Sequence, residues 1–270
     1  MRFKKMHGLG NDFVIFDARA EDIFITPDDM ALIADRHWGV GCDLITIMDE
    51  SEKADVFAYF FNADGSESAA CGNASRCVAD IIMSEKGTDS CTIEVVDRIL
   101  ECKKVDDLIV QVDMGAPKLD WENIPLARDE DTLNLPLEKD GVDDPVAVNM
   151  GNPHCVFFVD SLEDVDVEGV GAYMEVHELF PERTNVEFVQ VVDKTHLRQK
   201  TWERGVGMTE ACGSGACAVA VAAVRRDLTE RKVEIELDGG VMTLEWREDD
   251  GHVLMSGPVA YVFDGVLNSI

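Results

Sequence analysis

Positive charge is what this chain has least of. Its 24 lysines and arginines face 54 aspartates and glutamates, leaving a net charge of −30 over 270 residues. Nucleic acid and anionic membrane both select cationic partners, so neither fits. Long apolar runs are missing too. The longest, ACAVAVAAV at 216–224, falls far short of the roughly 20 residues a membrane helix requires. The opening MRFKKMHGLGNDF is basic, but it holds no apolar core of the length a secretory signal needs. A soluble, cytoplasmic protein is the expectation, and in a reducing compartment the eight cysteines are not expected to form a disulfide framework. No C-x-x-C pair occurs, and the spacings Cys71/Cys77 and Cys212/Cys217 suit no common zinc knuckle, so no metal is expected. The glycine pairs at 8–10, 39–41 and 205–207 never extend to G-x-G-x-x-G, and there is no Walker pattern, which argues against a nucleotide fold.

The acid that is present is spread along the chain and densest in DEDTLNLPLEKDGVDD (129–144), so a disordered acidic tail does not account for it. Two readings stay open: high solubility, or adaptation to strong salt, where screening relieves self-repulsion.

Patterning predicts strands at 14–17, 44–48, 55–61, 91–96, 99–104 and 108–113, with helices over 27–36 and 72–86. After a polar, proline-bearing stretch the order repeats. Strands are predicted at 146–150, 154–160, 185–192 and 196–203, a helix lies within 169–180, and another runs over 213–226. Short strands near 232–237, 241–246, 252–256 and 259–263 close the chain. Each half reads as strands, a turn, a cysteine, a buried helix and more strands.

The cysteines are AACGNASRC (69–77) and ACGSGAC (211–217). About half the chain separates Cys71 from Cys212, and each opens a predicted helix. A thiol at a helix start faces unpaired backbone N–H groups and the positive end of the macrodipole. That environment is expected to lower its pKa from about 8.5 and favour the thiolate. The same N–H groups suit a carboxylate. Two such sulfurs, one on each face of an α-carbon, could invert an amino-acid stereocentre without pyridoxal phosphate, one removing the proton and the other returning one. The alternative reading is two buried cysteines in helix-start turns. Cys77, Cys217, Cys42, Cys91, Cys102 and Cys155 are read as core.

The chain resembles the diaminopimelate epimerase family over nearly its whole length. The stretches that carry the resemblance are MHGLGNDF (6–13), RHWGVGCD (36–43), FNADGSESAACGN (61–73), MGNPHC (150–155), ERTNVEF (182–188), WERGVGMTEACGSGACA (202–218) and GPVAYVFDG (257–265). The resemblance implies an α/β (α+β) fold of two pseudo-symmetric domains, each a mostly antiparallel sheet wrapped around a central helix, with the site in the cleft between them. The domains are expected at 1–117 plus 262–270 and at 118–261. It further implies interconversion of LL- and meso-diaminopimelate toward lysine, without a cofactor. Cys71 and Cys212 look like the acid/base pair. Gly72, Asn73, Gly213 and Ser214 would serve the carboxylate at the reacting centre. Asn11, Asn62, Asn152, Asn185, Glu203 and Arg204 match the residues that hold the distal amino-acid end, and His154 and Glu203 match groups near the thiols. The oligomeric state stays open, with a homodimer among the assemblies allowed. Three departures stand out. Leu44 follows Asp43 where the family usually has Gln, CGNG becomes CGNA at Ala74, and VVDRILEC (95–102) replaces a glycine-bearing turn. Leu44 keeps open another amino-acid racemase on this fold, and two further readings are a non-catalytic amino-acid-binding protein and a thiol redox protein.

Overall fold

A lysine conceals the first strand. Strand β1 (Arg2–Gly8) lies upstream of the first strand that apolar alternation predicts. Lys5 points inward, its ammonium buried against the Asp12 carboxylate and the Gly41 carbonyl. A charge with partners thus interrupts the period-2 signature that identifies a half-buried strand.

The computed structural model describes residues 1–68, 71–96 and 98–268. Ala69 and Ala70 of the first cysteine motif, and Asp97, lie outside the described residues. The chain divides into two units, 1–113 with 256–270 and 114–255.

In the first unit β1 is followed by β2 (Asn11–Asp17), α1 (Pro27–Ala34), β3 (Leu44–Asp49), β4 (Val56–Asn62), β5 (Glu67–Ser68), α2 (Gly72–Lys86), β6 (Ser90–Glu94), β7 (Ile99–Asp106) and β8 (Ile109–Asp113). β1 pairs antiparallel with β2, β2 parallel with β3, and β3 antiparallel with β4. β4 takes β5 antiparallel and β6 parallel, and β6, β7 and β8 form a meander.

The first strands of the second unit form a short hairpin, β9 (Glu138–Lys139) and β10 (Val142–Asp143), within the acidic stretch. It continues through β11 (Val146–Asn149), β12 (Pro153–Val159), α3 (Val167–Glu175), β13 (Asn185–Val191), β14 (His196–Glu203), β15 (Gly207–Thr209), α4 (Gly213–Arg225), β16 (Lys232–Leu237) and β17 (Gly240–Trp246). The pairing repeats that of the first unit step for step. β11–β12 is antiparallel, β12–β13 parallel and β13–β14 antiparallel; β14 takes β15 antiparallel and β16 parallel, and β16–β17 is antiparallel. β18 (Val253–Pro258) leaves the second unit for the first, where β19 (Ala260–Val266) pairs with β1.

Each sheet curls around one helix. Every residue of α2 from Gly72 to Met83 is buried, and the helix packs on β1, β2, β4, β6, β7 and β8. α4 packs likewise on β11, β12, β13, β16 and β17. A helix buried on all sides needs no polar face, which explains why GSGACAVAVAAV lacks one. Its small side chains let strands approach closely, and tertiary packing offsets the weak helix propensity of its valines. α2 stops at Gly87, in the left-handed region at φ 64°. In the second unit the fully buried Phe157 and Phe188 rings stack with centroids 5.7 Å apart, each burial contributing about 1.5–3 kcal/mol. No described helix is long and apolar enough to cross a membrane.

Candidate active site

The repeated pairing puts corresponding residues at corresponding strand ends. In the first unit Asn11 opens β2, Leu44 opens β3 opposite Asn62, and Asn62 closes β4. In the second, Asn152 immediately precedes β12, Asn185 opens β13 opposite His154, and Glu203 closes β14. Leu44 therefore holds in the first sheet the place that Asn185 holds in the second. Cys71 and Cys212 occupy the N-cap positions of α2 and α4 with extended backbones (φ −140°, ψ 107° and φ −109°, ψ 111°). Gly72 and Gly213 begin the helices and are buried.

Around Cys71 the groups are tied through amides. Its sulfur accepts the Ala74 N–H at 3.5 Å and lies 3.9 Å from Asn11 Oδ1. Asn73, itself buried, donates from Nδ2 to the same Asn11 oxygen at 3.1 Å. Asn11 Nδ2 donates in turn to Asp43 Oδ2 at 2.9 Å, which fixes the amide's orientation because a carboxylate only accepts. Asp43 also accepts from the Asp12 N–H and from Arg36. Burial alone would raise the Asp12 carboxyl, yet hydrogen bonds from Arg36 and Lys5 outweigh it and hold the group at about 2. Asn62 donates to Ser66 Oγ at 2.9 Å. Among the eight cysteines Cys71 alone is not buried.

Cys212 sits in different surroundings. Its sulfur is 3.6 Å from Ser214 Oγ. Burial pushes the thiol well up, and the Glu203 and Glu187 carboxylates push further in the same direction; the Gly215 N–H and the Ser214 hydroxyl oppose them without prevailing. The expectation that a helix start lowers this pKa therefore fails at Cys212. The macrodipole is a partial charge, whereas desolvation and two carboxylates penalise the full charge of a thiolate. The half-buried Glu203 is itself raised, by burial first, with Thr209 opposing through a hydrogen bond and Glu187 adding repulsion.

His154 is fully buried, its Nδ1 2.7 Å from Glu187 Oε1 and its Nε2 2.8 Å from Asn152 Oδ1. The Asn185 amide is engaged at both ends, accepting from the Arg204 N–H and donating to the Pro153 carbonyl, each at 3.0 Å. Arg204 is exposed and donates from its guanidinium to the Glu182 carbonyl at 3.0 Å. Buried Glu175 pins the turn that follows β14, accepting from the Gly205 N–H at 3.0 Å and from Trp202 Nε1 at 2.7 Å.

Thus Asn11, Cys71, Gly72 and Asn73 meet in the first unit, with Asn62 at the same sheet end. Asn152, His154, Asn185, Glu203, Arg204, Cys212, Gly213 and Ser214 meet in the second. Sequence reasoning missed Asp43, Glu175 and Glu187. Glu187 left a readable trace, as the one charged residue in the apolar strand NVEFVQV.

A family model described as diaminopimelate epimerase matches residues 3–119 and 146–262. The chain is 52% identical over 267 residues to a diaminopimelate epimerase of Acidiphilium cryptum, covering 99% of this chain and 96% of that one. It is 51% identical over 269 residues to the same enzyme of Rhodospirillum centenum, covering 99% and 92%. A phenazine biosynthesis protein of the PhzF family from Bacillus anthracis shares the fold, with a TM-score of 0.71 at 18% identity and 99% of both chains covered.

Proposed function

The chain belongs to the diaminopimelate epimerase family, and from that premise we propose that it interconverts LL- and meso-diaminopimelate by proton transfer at one α-carbon, with Cys71 and Cys212 as the acid/base pair. One observation carries the assignment of the pair: two sheets with the same pairing pattern each place a cysteine at the N-cap of their central helix.

The unequal surroundings assign starting roles. Cys212 is held as a thiol, so it is the group able to give a proton. Cys71, half-buried where Cys212 is buried, is the group placed to take one. For the opposite configuration the roles exchange. The α-carbon is a far weaker acid than a thiol, and the developing negative charge at the carboxylate needs fixed donors. First-turn N–H groups beside Gly72, Asn73, Gly213 and Ser214 supply them without reorganisation. Asn11, Asn62, Asn152, Asn185, Glu203 and Arg204 serve the distal amino-acid end, a guanidinium and amides for a carboxylate and carboxylate oxygens for an ammonium.

The test is incubation with LL-diaminopimelate in deuterated water. Inversion with deuterium uptake at the α-carbon is expected. Its loss by at least a factor of about 10²–10⁴ is expected in Cys71→Ala and in Cys212→Ala. Full activity after both thiols are blocked refutes the pair. Uptake with proline or lysine but not with diaminopimelate hands the case to another racemase.

The net charge of −30 supports a protein that binds neither nucleic acid nor anionic membrane, and an amino-acid biosynthetic reaction fits a cytoplasmic location. A homodimer is supported by β19, whose Tyr261, Val262, Phe263 and Val266 are each about half exposed. A monomer mass in solution at micromolar concentration would rule that assembly out.

A further inference from the structure

Glu187 is a buried carboxylate to which the proposed reaction gives no part beyond the push its charge adds to the Cys212 thiol. It lies in β13 and its partner His154 in β12, and neither has exposed surface. The three groups Glu187, His154 and Asn152 form a row in which each ring nitrogen faces an oxygen, at 2.7 and 2.8 Å. Each contact requires a hydrogen, so the row holds two protons. An amide oxygen can only accept, so the hydrogen of that second contact belongs to the ring. Nε2 therefore bears a hydrogen and donates to the Asn152 carbonyl oxygen. The amide's –NH2 group is turned the other way, where it offers donors and no acceptor.

A second feature holds the carboxylate in place. A Cβ built on Gly215 would sit 2.7 Å from Glu187 Oε1 and 3.2 Å from the Cys212 sulfur. Only glycine there lets the carboxylate lie against the first turn of α4, at the helix's positive end.

We propose that Glu187 is a positioning residue which, acting through His154, fixes the Asn152 amide with its –NH2 group presented to a carboxylate oxygen of the substrate. The proposal rests on the epimerase reading, because Asn152 enters as a substrate contact through it.

Two variants of the full chain test this. Glu187→Gln keeps the shape and can still donate to Nδ1, leaving Nε2 protonated. Its KM for LL-diaminopimelate is expected within about threefold of the parent chain. Glu187→Leu leaves Nδ1 without a partner and frees the amide to turn, so KM is expected to rise by about tenfold or more with a smaller change in kcat. A Leu variant with unchanged KM, or with a fall confined to kcat, overturns the proposal. The ring-nitrogen shifts of His154 in the parent chain, labelled with nitrogen-15 and assigned through His154→Gln, give a readout that needs no Glu187 variant to fold. A protonated Nε2 is expected, and a bare Nε2 overturns the proposal. If the parent chain fails to invert diaminopimelate, the epimerase reading falls, while the nitrogen shifts still decide the state of the row.

Discussion

Replacing Gly215 by alanine sets two opposing effects against each other. Within a helix, alanine is favoured over glycine by about 0.8–1.0 kcal/mol. Against that, the new methyl would meet Glu187 Oε1 at 2.7 Å, the Cys212 sulfur at 3.2 Å and the Cys212 Cβ at 3.3 Å. Neither neighbour retreats easily. The carboxylate oxygen is tied to His154 at 2.7 Å inside a strand with no exposed surface at that residue. The Cys212 Cβ is fixed by the N-cap backbone. Overpacking of this kind costs about 1–3 kcal/mol, so the expected balance is a destabilisation of about 0–2 kcal/mol after the propensity gain. The displaced sulfur is expected to cost about tenfold in epimerisation, because small misplacements of reacting groups are expensive. Thermal melting and deuterium incorporation on the same preparation read both. If Gly215→Ala melts above the parent chain and keeps full activity, propensity has won. The close contact between the carboxylate and the first turn of α4 would then not be a constraint.

Two further outcomes are expected. At neutral pH iodoacetamide should modify Cys71 first, because burial pushes the Cys42 thiol up to about 11 and the Cys77 thiol to about 12, and Cys212 lies well above its ordinary value; peptide mass spectrometry showing Cys212 labelled as fast would refute its assignment as the resting acid. The Asp12 carboxyl, brought to about 2 in the folded chain from an ordinary 3.8, contributes about 2 kcal/mol of stability above pH 4 that is lost as pH falls toward 2. Asp12→Asn should therefore lower urea resistance at pH 7 and flatten the acid limb between pH 4 and 2, and an unchanged acid limb would contradict the ion-pair account.

Much of this architecture was readable because the signals are local. The helix over 72–86 is bounded by a cysteine turn and Gly87, and both bounds act through neighbouring backbone. The strands NVEFVQV and HLRQKTWE announce themselves by β-branched and alternating residues. β1 escaped because Lys5 occupies an inward position that only Asp12 and the Gly41 carbonyl make tolerable. The two-residue strands β5, β9 and β10 carry too few side chains for any period to be read.

By itself the sequence determined the family, the helix-start cysteines and the short apolar strands around them, because each depends on neighbours along the chain. The tertiary structure alone decided that the two thiols are unlike. Cys71 stays half-exposed beside the Asn11 amide, whereas Cys212 is buried among carboxylates that come from β13 and β14. Desolvation and charge act through space, so residues far apart in the chain set the proton affinity of a sulfur whose own sequence neighbours promise the opposite.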